Sequence, residues 1–270
     1  MRTFDDKAFG RAFDEVVLAG HWQEKSAYYP RYRTRYEAVL RGFAEAAPSE
    51  PVDLLEVGGG QLAALAHRLW RDRATVADIG DTCFPTLEKQ GVATFRWNLA
   101  AGDPPAGHAY DVVLLSEVIE HLPVPGHVAL SRLRRMLRPG GLLICSTPNL
   151  YRLRNIVFLA LGRPIFDNFD VPRESGAGHV LEYSADHLRW QFEQAGFTDI
   201  DVRLREFAHV PHRASDRLLA TLGRPLLRIP RFRDNLLATA VAPAAETVAP
   251  TSETVASTSE TVDSTEAEIG

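Results

Sequence analysis

Cysteine is scarce in this chain: Cys83 and Cys145 are the only two among 270 residues. Two isolated thiols exclude a disulfide-stapled fold and fit a reducing compartment. Long apolar runs are missing too. The longest, residues 156–161, falls far short of the about 20 residues a bilayer-spanning helix needs. Residues 1–10 are too polar for a secretory leader, so a soluble cytoplasmic protein is expected. The body of the chain also lacks an excess of either charge. Six of the 35 acids lie beyond residue 240, where there is no Lys or Arg, which leaves 29 acids against 30 bases. A near-neutral body offers no footprint for a nucleic-acid partner.

What is present is a 45% hydrophobic composition, enough for one α/β core. The most telling stretch is Val52-Asp-Leu-Leu-Glu56-Val-Gly58-Gly59-Gly60-Gln61, followed by apolar residues at helical spacing over 62–70. It reads as a buried parallel strand that turns through a glycine loop into a helix, where a nucleotide-like ligand meets the strand's carboxyl end. Gly58-x-Gly60-x-x-Ala63 with Asp78 about 20 residues on also satisfies the dinucleotide fingerprint. The charge argues otherwise. A pyrophosphate seeks backbone N–H groups and a helix N-terminus, and Glu56 would repel it. A phosphate-free cation such as a sulfonium would welcome that carboxylate.

Strand and helix signals alternate after the loop. Apolar strands are expected over 52–57, 74–79, 92–97, 110–116, 142–146, 198–204 and 235–241, with helices over 62–70, 83–89, 128–137 and 184–195. Arg138-Pro-Gly-Gly141 reads as a helix stop and turn. The pattern predicts an α/β fold: a doubly wound, mostly parallel seven-stranded sheet with helices on both faces. Helices over 4–18 and 31–46 would form an N-terminal cap (1–48) before the main domain (49–242), which carries an insertion at 149–178. Residues 243–270 hold three copies of one Thr/Ser-rich acidic heptad, beginning at Ala245, Ser252 and Ser259, and are expected to be disordered.

With these pieces in order, residues 50–242 resemble the class I S-adenosylmethionine-dependent methyltransferases, whose domain is Rossmann-like. The resemblance rests on Glu56-Val-Gly58-Gly-Gly60, Asp78, Asn98-Leu99, Tyr110-Asp-Val-Val-Leu-Leu-Ser116-Glu117-Val-Ile-Glu120-His121-Leu122, Leu137-Arg-Pro-Gly-Gly141 and Ser146-Thr-Pro-Asn149, in that order. The family often has a further glycine where this chain has Leu62. The resemblance implies S-adenosylmethionine as cofactor. Gly58, Gly59 and Gly60 would lie against its methionine part, with Glu56 near the ammonium. Asp78 would accept from the ribose hydroxyls, Asn98 and Leu99 would meet the adenine, and Ser116 and Glu117 would flank the methyl group. The plainer readings are a helix-capping Asp78, a turn residue at Asn98 and a solvent-facing Glu117.

Hydroxyl methylation also needs a base, for which His121 is the candidate; its plain reading is a helix histidine bonded to a carboxylate. A sharper possibility joins Glu117, Glu120 and His121, which share one face if they lie on a helical turn. That spacing resembles small-RNA terminal 2′-O-methyltransferases and ubiquinone-pathway O-methyltransferases, where it contributes to a metal site. Gly178-His179-Val-Leu-Glu-Tyr-Ser184 resembles the segment supplying a further histidine, so His179 joins the candidate ligands of a divalent ion such as Mg²⁺. The same Glu-His-Leu is also widespread in metal-free relatives. The expected acceptor is a hydroxyl of a small molecule, sugar or lipid-linked glycan; an RNA 2′-hydroxyl and an NAD-binding enzyme or binder are the alternatives. The basic-apolar segments at 151–161 and 216–231 suit such an acceptor and weak membrane-surface contact. The cluster Tyr28, Tyr29, Arg31, Tyr32, Arg33, Arg35 and Tyr36 would close over the cofactor, clamp an anionic acceptor, or form a solvated helix face.

Overall fold

The computed structural model describes residues 2–166, 178–207, 226 and 228–244. The repeat tail from 245 onward, most of the basic-apolar segment at 216–231 and residues 167–177 of the insertion lie outside the described residues. No helix among the described residues is long and apolar enough to cross a membrane.

Seven strands form one sheet: β1 (Asp53–Val57), β2 (Arg73–Asp78), β3 (Ala93–Arg96), β4 (Tyr110–Ser116), β5 (Leu137–Pro148), β6 (Thr198–Arg205) and β7 (Asn235–Val241). Their spatial order is β3-β2-β1-β4-β5-β7-β6, and only the pairings made by β7 are antiparallel. The expected doubly wound architecture is therefore the observed one. The chain reverses direction across the sheet between β1 and β4, and the crevice outside their carboxyl ends is where such sheets take ligands.

Both faces of the sheet are covered, which explains why the central strands read as continuous apolar runs. Leu54, Val112, Leu114 and Ile144 face a core shared with the N-terminal helices and α4 (Gln61–Trp70). Leu55, Val57, Val113, Leu115 and Cys145 face a second core with Leu130, Leu133, Leu188 and Phe192. Those last four residues come from α6 (Gly126–Arg134) and α8 (Ala185–Gln194). The remaining helices are α1 (Asp6–Ala12), α2 (Tyr28–Arg31), α3 (Arg33–Ala46), α5 (Phe84–Lys89) and α7 (Leu153–Ala160).

Two local expectations need correction. The single helix foreseen over 4–18 is α1, capped by Asp5, running into a π-helical turn over Phe13–Leu18. There the Ala19 N–H reaches the Asp14 carbonyl, and the wider turn lets Phe13, Val16 and Val17 all point into the core. Arg138-Pro-Gly-Gly141 is not a turn after a long helix. α6 stops at Arg134, and residues 138–141 bulge out within β5, so that Tyr110 pairs with Leu137 but Val112 pairs with Leu142. Arg138 binds Asp53 (2.7 Å) and Asp111 (2.6 Å) from this bulge.

Candidate active site

The glycine loop follows β1 at the carboxyl edge of the sheet. Gly58, Gly59 and Gly60 all have left-handed dihedrals, with φ of 83°, 75° and 98°, which other residues enter only at a cost. A Cβ on Gly58 would also lie 2.7 Å from Val118, and one on Gly60 would lie 2.9 Å from Leu87. Packing and backbone both demand glycine here. Leu62, where the family often has a further glycine, is already in α4 and is buried in the core, so the loop closes without it.

Glu56 is buried beneath the loop, and its Oε2 accepts the Ala63 N–H at 2.6 Å. The first turn of α4 thus supplies the donor that helix N-termini leave unsatisfied. Burial pushes its carboxyl up to about 8, although backbone donors from Ala63, Gly60 and Leu62 pull the other way. Asp78, at the end of β2, accepts from Gly59 N–H (3.2 Å) and Gly80 N–H (2.9 Å) and stays half-buried. Each carboxylate oxygen retains a lone pair for further donors. Asn98 is exposed and its Oδ1 accepts the Ala100 N–H at 3.0 Å, closing a local turn. Leu99 is buried within the second core.

Ser116 ends β4 beside Ser146 of β5, their hydroxyls 2.8 Å apart. Glu117 follows with a left-handed φ of 55°. This backbone aims its carboxylate across the sheet edge, where Oε1 accepts from Ser146 Oγ (2.9 Å) and Asn235 Nδ2 (3.0 Å). Oε2 meets Arg35 Nη1 at 3.3 Å. Asn235 can take part because β7 runs antiparallel and brings its first residue to this edge. Of the Tyr/Arg cluster, Tyr29 and Tyr36 are buried, so the segment is not a solvated helix face.

Glu117 does not join Glu120 and His121 as their spacing suggested. Residues 119–121 form a 3₁₀ turn rather than α-helix, and the left-handed residue at 117 breaks the helical path before it. The group that does converge is Glu120, His121 and His179, each offering a ligand atom within 4.8 Å of the others. Glu120 is buried; its Oε2 accepts Thr147 Oγ1–H at 2.9 Å, and Oε1 has no hydrogen-bond partner among the described residues. Burial, then the nearby Glu117, pushes its carboxyl well above the ordinary range. His121 Nε2 lies 3.8 Å from Glu120 Oε1, while its Nδ1 is 3.3 Å from the Gly178 carbonyl. A carbonyl only accepts, so Nδ1 carries a proton, which in the neutral ring leaves the lone pair on Nε2. An orphaned buried carboxylate oxygen beside two imidazoles fits a divalent cation with nitrogen tolerance.

The sequence reasoning missed Arg35 as the partner of Glu117, along with Thr147, Asn235 and Glu182. Thr147 and Glu182 lie inside motifs already singled out, Ser146-Thr-Pro-Asn149 and Gly178-His-Val-Leu-Glu-Tyr-Ser184; Thr147 is a polar residue in a fully buried stretch, and Glu182 is buried just after the exposed Val180 and Leu181. Arg35 lies in the Tyr/Arg cluster already singled out, but nothing local names Glu117 as its partner, and Asn235 carries no such signal at all.

Comparison with known proteins agrees with this geometry. A family model described as a methyltransferase domain matches residues 29–202. A ubiquinone biosynthesis O-methyltransferase of Roseobacter denitrificans is 34% identical over 153 residues, covering 50% of this chain and 61% of that protein. One from Cereibacter sphaeroides is 35% identical over 116 residues, covering 40% and 46%. The chain thus spans roughly half the length of these relatives. The structure of an S-adenosylmethionine-dependent methyltransferase from Thermotoga maritima superimposes with a TM-score of 0.57 at 15% identity, covering 87% of this chain and 99% of that one. Another, from Archaeoglobus fulgidus, gives 0.53 at 15% identity, with 80% and 98% covered. At such identities the likeness is one of fold. The family match removes the NAD-binding alternative, leaving the dinucleotide fingerprint as a by-product of the shared strand–loop–helix. With the matched model covering more than half of the chain, this protein belongs to the methyltransferase-domain family, the class I S-adenosylmethionine-dependent methyltransferases.

Proposed function

We propose that this chain methylates a hydroxyl of a small molecule, sugar or lipid-linked glycan. The observation that carries this reading is the convergence of Glu120, His121 and His179 next to Ser116 and Glu117. The O-methyltransferase names of the relatives support it. Bound S-adenosylmethionine supplies an activated methyl group, so the protein has mainly to position the acceptor and exclude water. Asp78 would hold the ribose diol, Asn98 and Leu99 the adenine, the glycine loop and Glu56 the methionine end, and Ser116 the region of the methyl group. Arg35, which pairs with Glu117, lies over the rings of Tyr28 and Tyr32 and donates to Tyr28 Oη at 2.6 Å, so this group would shield that end of the crevice.

A hydroxyl acceptor must lose its proton. Glu120, His121 and His179 would hold a divalent ion there, whose Lewis acidity lowers a hydroxyl's pKa. Glu117, bonded to Arg35 and lying outside that group, would flank the acceptor. Ile156 (37% exposed), Leu159 (57%) and Leu161 (62%) project from α7 and its C-terminal end, which suits an amphiphilic acceptor or weak membrane-surface contact. Cys83 and Cys145 are unpaired and buried, in keeping with a cytoplasmic setting.

The test is methyl transfer from labelled cofactor to a panel of vicinal diols and catechols, with and without EDTA, in wild type and Glu120→Gln. The expected result is turnover that EDTA abolishes, Mn²⁺ restores and Glu120→Gln lacks. Turnover indifferent to both EDTA and the substitution would exclude the ion and return the base role to His121. A protein that binds no S-adenosylhomocysteine would sink the whole reading.

A further inference from the structure

Glu182 is a carboxylate with no exposed side-chain surface, between the segment carrying His179 and the start of α7. Its oxygens are divided among three donors. Oε1 accepts from His179 Nδ1 (2.9 Å) and Arg152 Nη2 (2.5 Å), and Oε2 from Asn155 Nδ2 (2.6 Å). A buried charge of this kind is tolerated only when fully paired, and here every partner belongs either to the candidate metal cluster or to the acceptor-side insertion.

Arg152 and Asn155 already donate to its two oxygens, so Glu182 meets His179 Nδ1 as an acceptor; in the neutral ring that puts the proton on Nδ1 and the lone pair on Nε2. That is the tautomer a ligating histidine adopts when an outer carboxylate orients it. The surrounding backbone holds the arrangement in place. Val180 N–H and Leu181 N–H both donate to the Glu120 carbonyl, at 2.7 and 3.2 Å, and the Gly178 carbonyl faces His121 Nδ1. The segment 178–182 is thereby stitched to the 3₁₀ turn carrying the other two candidate ligands. On its opposite side Glu182 grips the start of α7. Asn155, itself fully buried, bonds the Leu150 carbonyl (3.0 Å) and accepts from Arg152 Nε (3.1 Å).

We infer that Glu182 is a positioning residue: it fixes His179 with Nε2 presented to Glu120 and His121, and anchors that histidine to the first turn of the acceptor-side helix α7. The metal half of this inference rests on the ion-binding reading above; the hold on His179 does not.

Two measurements separate them. The first is ¹⁵N NMR of the histidines in metal-free protein, above the imidazole titration range. His179 is expected as the Nδ1–H tautomer in wild type, shifting toward Nε2–H in Glu182→Gln. The second is Mn²⁺ titration followed by electron paramagnetic resonance, where Glu182→Gln is expected to weaken binding about 10- to 100-fold. His179→Ala serves as the variant lacking the ligand itself, and unchanged S-adenosylhomocysteine affinity controls for folding. The tautomer of wild-type His179 needs no variant, so the inference is testable even if Glu182→Gln does not fold. Wild type that takes up no Mn²⁺ yet keeps the Nδ1–H tautomer would sink the metal reading and uphold Glu182's grip on His179. A wild-type Nε2–H tautomer, or a Glu182→Gln protein matching wild type in both measurements, would overturn the inference.

Discussion

Arg35, in the first turns of α3, and Glu117, just past β4, meet at 3.3 Å across 82 positions of sequence. Both side chains are largely covered, 11% and 15% exposed. The guanidinium sits over the rings of Tyr32 (4.8 Å), Tyr28 (5.6 Å) and Tyr36 (5.6 Å). The N-terminal helices therefore do more than cover the sheet: they deliver a cation to the carboxyl edge where the site residues gather. Desolvation works against that charge, and Glu117 offsets it only together with Tyr28 and Tyr36, whose combined pull holds the guanidinium above its ordinary range.

Removing Arg35 leaves Glu117 partly buried and short of a counter-charge. Arg35→Met should cost about 3 kcal/mol of stability, the low end for a broken buried pair because Ser146 and Asn235 still bond the carboxylate. Arg35→Lys should recover part of the loss, since it restores the charge but not the planar group that stacks among the tyrosines. Urea unfolding of the three proteins measures this, and identical midpoints would show that the pair contributes nothing.

Glu56 gives the stability a definite pH dependence. Its carboxyl moves from 4.5 to about 8 on folding, chiefly through burial. Between those values the native state holds a proton that the unfolded state has lost, so stability falls as pH rises across the window and levels off above it. Asp234, raised to about 8 mainly by burial, and Glu120 act in the same direction. Glu56→Gln should therefore flatten, not abolish, the slope of unfolding free energy against pH. A cationic ligand beside Glu56 favours the ionised form, so S-adenosylmethionine binding should release a proton and tighten with pH over the same window. Calorimetry in buffers of different ionisation enthalpy detects that proton; a heat independent of buffer would exclude it.

How much of this was legible in the sequence depends on the range of the contact. The strands follow from apolar runs bounded by glycine and charge, because a residue's place on a pleat is fixed by its neighbours: the expected 235–241 is β7 as observed. The glycine loop and Asp78 are equally local, each within a few residues of the strand end it follows. Glu117 was legible as a residue and not as a geometry. Spacing placed it with Glu120 only on the assumption of a helical turn, and a left-handed backbone at one residue undid it. The partners that decide its role, Arg35 and Asn235, come from elements 82 and 118 positions away. No periodicity encodes such pairings; the sheet order does.

The same blindness hid a clamp at the start of the chain. Arg2 donates to Asp72 through both terminal nitrogens (2.5 and 2.8 Å), and to the carbonyls of Pro48 and Glu50. Its guanidinium lies over Phe43 (4.8 Å) and Trp70 (5.5 Å), and Asp72 also accepts the Val52 N–H. Both side chains are buried. Arg2→Met should therefore cost about 3–5 kcal/mol, because Asp72 stays behind as an unpaired buried charge. Converting Asp72→Asn as well removes that charge and should return part of the loss, a non-additive recovery that a double-mutant cycle in urea resolves. Strict additivity would mean the two residues act separately. Cofactor affinity should be unchanged in every folded variant, since the clamp involves none of the residues at the carboxyl edge.

Glu117 and Glu120, three positions apart, have diverging carboxylates, and their substitutions should part in the same way. Glu120 presents toward His121 an Oε1 with no hydrogen-bond partner among the described residues, and its other oxygen accepts from Thr147. Glu117 has both oxygens engaged, by Arg35, Ser146 and Asn235. Glu120→Gln keeps the size of the side chain but removes the anionic oxygen a divalent ion needs, so Mn²⁺ uptake should disappear while S-adenosylhomocysteine binding persists. Glu117→Gln leaves the three-residue cluster complete, so Mn²⁺ uptake should persist. It does place an amide opposite Arg35 or Asn235, where one donor must face another, and the methyl-transfer end loses its geometry. Turnover should then fall by roughly 10- to 100-fold, on the scale of a misplaced reacting group, with little change in cofactor affinity. Each protein is measured for Mn²⁺ by paramagnetic resonance, for cofactor by calorimetry and for turnover with labelled methyl. Equal loss of Mn²⁺ in both variants would place Glu117 back among the ligands, and loss in neither would remove the ion from the site.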